Sequence, residues 1–417
     1  MYNVSDAYRE ALQKKVINDR ISGTVTLTDG TVIELSDSNV VSGSLKIVHE
    51  LCGEYRIGTF NLGWMKIGFF ADDALLCDFS GAKIKLDYEI ETAEGWERVP
   101  MGIYIADGSS VRRKRNTITL TAYDYGILFD CDISSEIREM EDTAENIITA
   151  VCESCGVEFG GIETGLPNMT VTLAPVSKQI QSCRDLVEWC AVLLCGYGVI
   201  DRDGRLCIIS ARYYTSPDEE LEIVVDKKLT AFERNNIYVT DTRAWIAAIS
   251  AYSGGERKIY KSTITQNDEQ AARAVYSLEK NPLLEGKTEG ECDSINTDWL
   301  AFVDSFKQRG ITAEIYGDPA LDAGDVLRCS EGDIDQRRSV VGLVTRQEWR
   351  YRGFHTLICA SAQLSDGFEE GEETETSKPQ AVKVISQLEK KIDNAGGGDY
   401  KAGKGIYIDS DNRIGLE

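Results

Sequence analysis

Cysteine is the residue type in this chain whose spacing first suggests chemistry. Cys152 and Cys155 form a C-x-x-C pair, a spacing found in redox motifs and in half of many zinc sites. A zinc site needs four ligands, and no second such pair or nearby histidine completes this one. On a helix the two thiols would share a face with apolar neighbours. We therefore predict buried core thiols here, and likewise for Cys183, Cys190 and Cys195.

Histidine is scarce, which limits acid–base catalysis and metal binding. His49 and His355 are the only two, so one of them would have to serve as the base of a serine or cysteine hydrolase. Both lie in apparent strands, and the chain has no G-x-S-x-G motif. Among 69 acidic residues, no spacing singles out a glycosidase pair. The sequence predicts no catalytic residue, no cofactor and no metal ion.

Two further segments match a phosphate-binding loop and a calcium-binding loop only in part. Residues 398–405 match a phosphate-binding loop, but Gly405 stands where a Mg²⁺-binding Ser or Thr is needed. The motif also lies between a glycine run and a strand, instead of between a strand and a helix. Residues 409–412 lack the rest of a calcium-loop pattern, so we interpret them as a turn.

The one dense basic cluster lies in a predicted hairpin turn. It consists of Arg112, Arg113, Lys114 and Arg115. In so acidic a chain this cluster could dock an acidic neighbour and set its orientation. The alternative is an ordinary solvated turn.

Length and net charge limit the classes of protein to which this chain can belong. The 417 residues suffice for about three domains of ~150 residues. Lys and Arg total 45 against 69 Asp and Glu, a net charge of −24, which argues against stable nucleic-acid binding through a broad basic face. Residues 1–15 contain no apolar signal region, so we expect a cytosolic chain with reduced thiols. No apolar run approaches a membrane span.

Hydrophobic periodicity predicts a β-rich α+β fold. Residues 1–128 read as a β-barrel-like domain with a hairpin at Asp29-Gly30. Residues 129–212 read as an α/β domain, with one helix after Asp142, a second from about Ser182 to Gly196, and a hairpin at Asp203-Gly204.

The second β-barrel-like domain is predicted to be discontinuous. It comprises residues 213–240 and 311–364, and residues 241–310 form an inserted α+β domain with helical patterns at 268–280 and 297–309. A weak repeat of strand order relates the two β-barrel-like domains, and chance similarity of antiparallel meanders is the alternative.

The C-terminal part is predicted to be an oligomerisation tail. Residues 365–380 form an acidic linker, residues 381–395 a short coiled coil and residues 396–417 a terminal hairpin for fibre attachment. The seam residues of the coiled coil are Ala381, Ile385, Leu388 and Ile392. Because two heptads are too short for a stable isolated helix, this seam needs partner chains.

Five short segments, in order, resemble the hub or tail-associated protein family of bacteriophage tails. They are residues 120–124, 144–148, 184–189, 199–206 and 317–326. The resemblance implies a homotrimer in which two β-barrel-like domains per chain alternate around an axis and close the sixfold tail tube. Residues 129–212 and 241–310 would then point away from the tube. Many members carry a peptidoglycan hydrolase or a fibre beyond this region, whereas this chain ends after one short coiled coil.

The function this resemblance implies is a structural baseplate or tail-tip hub in the virion, made and assembled in the host cytoplasm. Its expected partners are the tail tube or distal tail protein, a distal spike or fibre protein, and a tape-measure protein. The alternatives are a tail-associated peptidoglycan hydrolase or peptidase and a carbohydrate-binding adhesin. A phage or a phage-derived bacteriocin, with a contractile or a non-contractile tail, fits equally well.

Overall fold

The structure, a computed structural model, describes most of the chain up to residue 359 and two short strands beyond it. The described residues are 2–52, 57–71, 77–163, 165–174, 176, 178–210, 229–234, 244–253, 256–265, 272–278, 281–284, 287–303, 311–329, 340–359, 406–408 and 414–416. They fall into two compact units, Met1–Asp366 and Gly367–Glu417. The predicted linker 365–380 and the seam residues Ala381, Ile385, Leu388 and Ile392 lie outside the described residues.

Strands outnumber helices along the described chain. The helices are α1 (Asp6–Leu12), α2 (Ser135–Arg138), α3 (Ala144–Cys155), α4 (Cys183–Leu193) and α5 (Glu289–Val303). The strands as far as residue 210 are β1 (Asp19–Thr26), β2 (Val32–Ser36), β3 (Lys46–Glu50), β4 (Trp64–Phe70), β5 (Lys83–Thr92), β6 (Gly95–Ala106), β7 (Arg112–Lys114), β8 (Thr117–Asp124), β9 (Glu141–Thr143), β10 (Phe159–Glu163), β11 (Thr170–Thr172), β12 (Gly196–Ile200) and β13 (Leu206–Ser210). The later strands are β14 (Leu229–Arg234), β15 (Ala244–Ser253), β16 (Glu256–Thr265), β17 (Ala272–Ser277), β18 (Ile311–Tyr316), β19 (Val326–Cys329), β20 (Val340–Leu343), β21 (Arg346–Arg350), β22 (Phe354–Cys359), β23 (Ile406–Ile408) and β24 (Ile414–Leu416).

One large antiparallel sheet contains strands from both predicted β-barrel-like regions. Its 12 strands include the path β14-β18-β22-β21-β3-β4-β8-β6-β5-β1-β2, and β7 pairs with β8 beside this path. The pairing of β3 with β21 joins the two regions, with Gln347 opposite His49. Near the other end of the path, the segment after β2 returns to β4, where Val41 N–H donates to the Gly68 carbonyl at 2.8 Å. The first β region therefore curls back on itself.

The strands follow the period-two pattern of the sequence. Alternate residues of β8 are buried, namely Ile118, Leu120, Ala122 and Asp124, so one face of this strand packs into the core. The predicted hairpin between β1 and β2 is confirmed: Gly30 has a φ of 88°, a conformation that glycine adopts without a Cβ penalty.

The helices after residue 129 begin where the capping residues predict. The Thr143 side chain accepts from Asn146 N–H ahead of α3, and the Ser182 side chain accepts from Asp185 N–H ahead of α4. Gly156 ends α3 in the left-handed conformation. The second helix stops before the predicted Gly196, because Cys195 already takes a positive φ of 49° and Gly196 begins β12. Strands β10, β13 and β12 form a three-stranded sheet beside these helices.

The prediction of a helix over residues 268–280 is wrong. Residues 272–277 form β17, which pairs in parallel with β15, since β partners distant in sequence override a local helical pattern. The helix predicted at 297–309 exists but begins earlier, at Glu289. Trp299 of α5 is buried and donates its indole N–H to the Val192 carbonyl at 3.0 Å, so the inserted region packs on the α/β region.

Two apolar cores support these layers. One is built mainly from the first β region, including Phe69 and Phe79, and also contains Trp349 of β21. The other joins α3, α4 and α5 and includes Leu186 and Trp299. In the second compact unit, β23 pairs antiparallel with β24. None of the described helices combines the length and the apolar character required to cross a bilayer.

Candidate functional site

Residues from four of the five segments that carried the family resemblance lie where the α/β region packs on the large sheet. Arg184, at the start of α4, is 5 % exposed. Its guanidinium donates to the Asp130 carboxylate at 2.6 Å and to the Phe60 and Gly126 carbonyls at 2.7 and 2.5 Å. It also lies 4.9 Å from the centroid of the Phe60 ring. A buried charge with this many partners fixes α4 against the chain that precedes β4.

Arg202 makes the second such connection, from the turn between β12 and β13. Its guanidinium donates to the Asp322 carboxylate at 2.9 Å and to the Pro100, Pro319 and Leu321 carbonyls at 2.6, 2.8 and 3.1 Å. The side chain is 14 % exposed. One residue therefore joins the α/β region, β6 and the segment between β18 and β19.

Asp124, at the end of β8, organises the backbone beside this junction. Its carboxylate accepts from Gly63 N–H at 2.7 Å and from Gly126 N–H at 3.0 Å. Burial raises the pKa of this carboxyl to about 7, against the opposing effect of those two hydrogen bonds. Gly63 is required here because a Cβ on it would lie 2.4 Å from the His49 ring and 2.5 Å from the Asp124 carboxylate.

Both histidines belong to one hydrogen-bonded chain that crosses the β3–β21 junction. His355 Nε2 lies 3.1 Å from Gln347 Oε1, and Gln347 Nε2 lies 3.1 Å from His49 Nδ1. His49 Nε2 is 3.1 Å from the hydroxyl of Tyr104, which donates to the Met101 carbonyl at 2.9 Å. These directions assign His49 a proton on Nε2, because the amide donates to Nδ1 and the tyrosine hydroxyl is already used as a donor.

The environment of the histidines keeps them neutral. Burial lowers the pKa of His49 to about 4 and that of His355 to about 3. His49 is partly exposed to a cleft, but both its ring nitrogens are hydrogen-bonded within the protein. These properties favour the predicted ordinary strand histidines over a general base.

The cleft at this junction has a volume of about 690 Å³. Its walls include His49, Asp124, Arg202 and Cys207. Burial raises the pKa of the Cys207 thiol to about 12, so this sulfur is a poor nucleophile at neutral pH. The described walls therefore combine a neutral histidine, a protonated thiol, an ion-paired arginine and the Asp124 carboxyl. Although the pKa of that carboxyl is about 7, both its oxygens accept from backbone N–H groups, so the described walls favour a structural junction over acid–base chemistry.

The predicted basic cluster is fully at the surface. Arg112–Lys114 form the short strand β7, so only Arg115 and the residue after it remain in the turn that we predicted for the whole cluster. Two members are anchored. Arg113 donates to the Cys77 carbonyl at 2.7 Å and lies 5.9 Å from the Phe79 ring centroid. Arg112 donates to the Ser109 and Val111 carbonyls at 2.9 and 3.2 Å. The exposed charges of the other members remain available to a partner.

Four of the five thiols predicted to lie in the core are buried, namely Cys152, Cys183, Cys190 and Cys195. The prediction is wrong for Cys155, which is half-buried and lies beside Cys131 and Cys183. The three sulfurs lie within 4.8 Å of one another. Sequence spacing could not reveal this group, because its members come from three separate segments of the α/β region.

Sequence reasoning also missed the roles of Arg184 and Arg202. It missed as well the hydrogen bonds by which Gln347 links the two histidines. The signal available for Arg184 was a charge in the first turn of an apolar helix, on the face that must be buried. Arg202 lies in an Asp-rich turn, where a solvated ion pair is the ordinary expectation. Nothing local indicates a partner as distant as Asp322.

Comparison with known proteins finds a solved structure with a similar fold. No family model matches the chain, and no curated protein matches it in sequence. The 43 kDa tail protein of prophage MuSo2 from Shewanella oneidensis superposes with a TM-score of 0.51 at 14 % identity, over 83 % of this chain and 98 % of that one. The chain has the fold of this prophage tail protein.

Other prophage and tail proteins also align. A tail protein from Neisseria meningitidis MC58 gives a TM-score of 0.48 at 11 % identity, over 81 % of this chain and 95 % of that one. The prophage tail protein gp18 from Listeria monocytogenes EGD-e gives 0.49 at 9 % identity, over 90 % and 100 %. The resemblance stated from the sequence is supported by the fold of the Shewanella protein, on which our conclusion about the fold rests.

Proposed function

We propose that this chain is a structural hub protein of the tail tip or baseplate of a phage or a phage-derived particle. The observation that carries the proposal is the superposition on a prophage tail protein along 98 % of that protein's length. Because folds host many functions, the character of the junction matters as well. Its charged groups are used to hold segments together, as expected of a protein that acts through its shape.

The proposed assembly is a homotrimer. Regions 1–128 and 213–240 with 311–364 would alternate around the axis as two β-barrel-like domains per chain and close the end of the tail tube. Within one chain, the pairing of β3 with β21 joins these regions through a continuous sheet, which supports a rigid arc as the repeating piece. The regions 129–212 and 241–310 would lie outside the ring.

The proposed C-terminal tail registers the three chains and holds a distal spike or fibre. Ala381, Ile385, Leu388 and Ile392 would form the seam. A variant with Ile385→Asp and Leu388→Asp should lose trimer stability, whereas Ser386→Asp, one position outside the seam, should not. Distal attachment that survives deletion of residues 379–417 would contradict this role.

The proposed channel is acidic. Each chain has a net charge of −24, and like charge on the walls would let DNA pass without binding. A trimer map with a neutral or basic wall would refute this point. The tail tube or distal tail protein and a tape-measure protein are the other proposed partners.

The basic cluster is the proposed docking surface for an acidic neighbour. A variant with Arg112→Glu and Lys114→Glu should weaken that contact while leaving the fold intact, because both side chains are exposed. Lys85→Glu, at another exposed strand position, is the control for added negative charge. Equal loss of assembly in both variants would show that the cluster has no special role.

The proposed function is tested by the mass in solution and the shape of the purified chain. Light scattering after size exclusion should give three chains, and class averages should show a closed ring with an open centre. A single-chain species that persists at high concentration would overturn the trimer. Clearing of a peptidoglycan zymogram by the purified protein would overturn the assignment of a purely structural, non-enzymatic role.

A further inference from the structure

The group of three cysteines is a side-chain cluster that the proposed function leaves unused. Cys131 follows the helical turn at residues 125–129, Cys155 is the last residue of α3, and Cys183 is the first residue of α4. Their sulfurs lie within 4.8 Å of one another, and no other group of His, Cys, Asp or Glu among the described residues meets that distance. The cluster therefore differs from the isolated buried thiols elsewhere in the described core.

The spacing of the sulfurs fits a single thiophilic ion. A tetrahedral zinc ion with Zn–S bonds of about 2.3 Å holds its sulfurs about 3.8 Å apart. Cys131 Sγ and Cys155 Sγ are 3.7 Å apart. The third thiol is held near them by the backbone, because Cys183 N–H donates to the Cys131 carbonyl at 2.9 Å. The cluster is thus close to the geometry that zinc requires.

The cluster lies at the edge of the apolar core that joins α3 and α4, and several features there suit a metal ion. Cys183 is buried at the positive end of the 11-residue helix α4, where a thiolate is favoured. Cys131 and Cys155 are only half-buried, which leaves a route for an ion. The positive charge of Arg138 also acts on Cys183. Its guanidinium is held by the Ile133 and Ile180 carbonyls at 3.2 and 3.3 Å.

Three thiolates leave one position of a tetrahedral zinc ion to be filled. The Cys183 thiol donates to the Asp132 carbonyl oxygen at 3.8 Å, and Cys131 and Cys155 are half-buried. A water molecule would occupy the fourth position.

We propose that Cys131, Cys155 and Cys183 bind one zinc ion as thiolates. Zinc binding displaces the three thiol protons to solvent and involves no change of oxidation state. The ion would fasten the end of α3 and the start of α4 to the segment before α2. It would act as a structural clip within the α/β region.

The first experiment measures metal content. The full chain is produced with added zinc, purified with a reductant, and analysed by plasma mass spectrometry. We expect about one zinc per chain, and a loss to background in Cys155→Ser and Cys183→Ser. Cys152→Ser, on the same helix but outside the cluster, is the matched control and should keep its zinc. Zinc retained in Cys155→Ser and Cys183→Ser would overturn the proposal.

A second measurement guards against variants that fail to fold. Unmodified protein is stripped of metal under reducing conditions and titrated with Co²⁺, whose thiolate charge-transfer absorption should saturate at one equivalent and disappear when Zn²⁺ is added. An unmodified chain that binds neither ion would overturn the proposal. An intact mass two hydrogens below that of the fully reduced chain would show a disulfide and would also overturn the proposal. Iron found in place of zinc would overturn it as well.

Discussion

Replacing Arg202 by methionine should destabilise the protein far more than the same change at a neighbouring arginine. Methionine keeps much of the aliphatic volume but removes every donor of the guanidinium. The Asp322 carboxylate and the Pro100, Pro319 and Leu321 carbonyls would each lose a partner.

The expected magnitude follows from the burial of the pair. Removing one partner of a buried ion pair costs about 3 to 5 kcal/mol. The Asp322 side chain is 32 % exposed, so water can recover part of that loss. We therefore expect the free energy of unfolding to fall by about 3 kcal/mol, at the lower end of that range.

Arg205 provides the matched control because it lies in the same turn. Its guanidinium pairs with Asp201 at 2.7 Å, but its side chain is 40 % exposed. An exposed ion pair contributes about 0 to 1 kcal/mol, so Arg205→Met should change the free energy of unfolding by no more than that.

Urea unfolding followed by circular dichroism measures both variants against the unmodified chain. A lower midpoint with an unchanged slope reports a loss of stability. Combining Arg202→Met with Asp322→Asn should give a smaller loss than the sum of the two single changes, since the two residues share one interaction. Equal effects of the two arginine variants would refute the view that Arg202 holds the junction together.

Two further predictions concern the same junction. Gly63→Ala should lower the free energy of unfolding by about 1 to 3 kcal/mol, because its Cβ would meet the His49 ring and the Asp124 carboxylate. Gly290→Ala, in α5 with open space around it, should be neutral or stabilising in the same urea assay. Between pH 6.5 and 4, each histidine is protonated in the unfolded chain but neutral in the folded chain, because burial lowers its pKa. As the pH falls through this range, each histidine should therefore lower the free energy of unfolding by about 1.4 kcal/mol per pH unit. His355→Leu should make this decline shallower, because it removes one of the two histidines. Asp124→Asn should make the decline steeper. The Asp124 carboxyl, with a pKa of about 7, takes up a proton on folding between pH 7 and 3.8, and this uptake stabilises the folded chain as the pH falls. Urea titrations at intervals of pH check both signs, and parallel curves for all three proteins would contradict them.

Local chemistry predicted the elements well and their long-range partners poorly. Thr143 and Ser182 start their helices as their capping chemistry predicts, and Gly30 forms the expected hairpin. Each of these outcomes depends on a few neighbouring residues. The strand at residues 272–277 could not be predicted in the same way, because its pairing with β15 outweighs the local pattern.

The candidate site depended still more on contacts between distant residues. The histidines were correctly interpreted as strand residues, but their chain through Gln347 exists only because β3 pairs with β21. The cysteine cluster needs three segments to converge, and the one local spacing, Cys152 with Cys155, pointed to the wrong partner. Order along the chain was more informative, since the five resembling segments led to a tail-protein fold.

The junction of β3 with β21 also has a consequence for synthesis on the ribosome. Gln347 is added 298 residues after His49, which takes roughly 15 to 60 seconds at about 5 to 20 residues per second. Throughout that interval β3 presents an open edge, and strands of neighbouring nascent chains on the same message can pair with it. The yield of correctly folded chains should therefore rise when polysomes are sparse or when a chaperone covers the emerging edge.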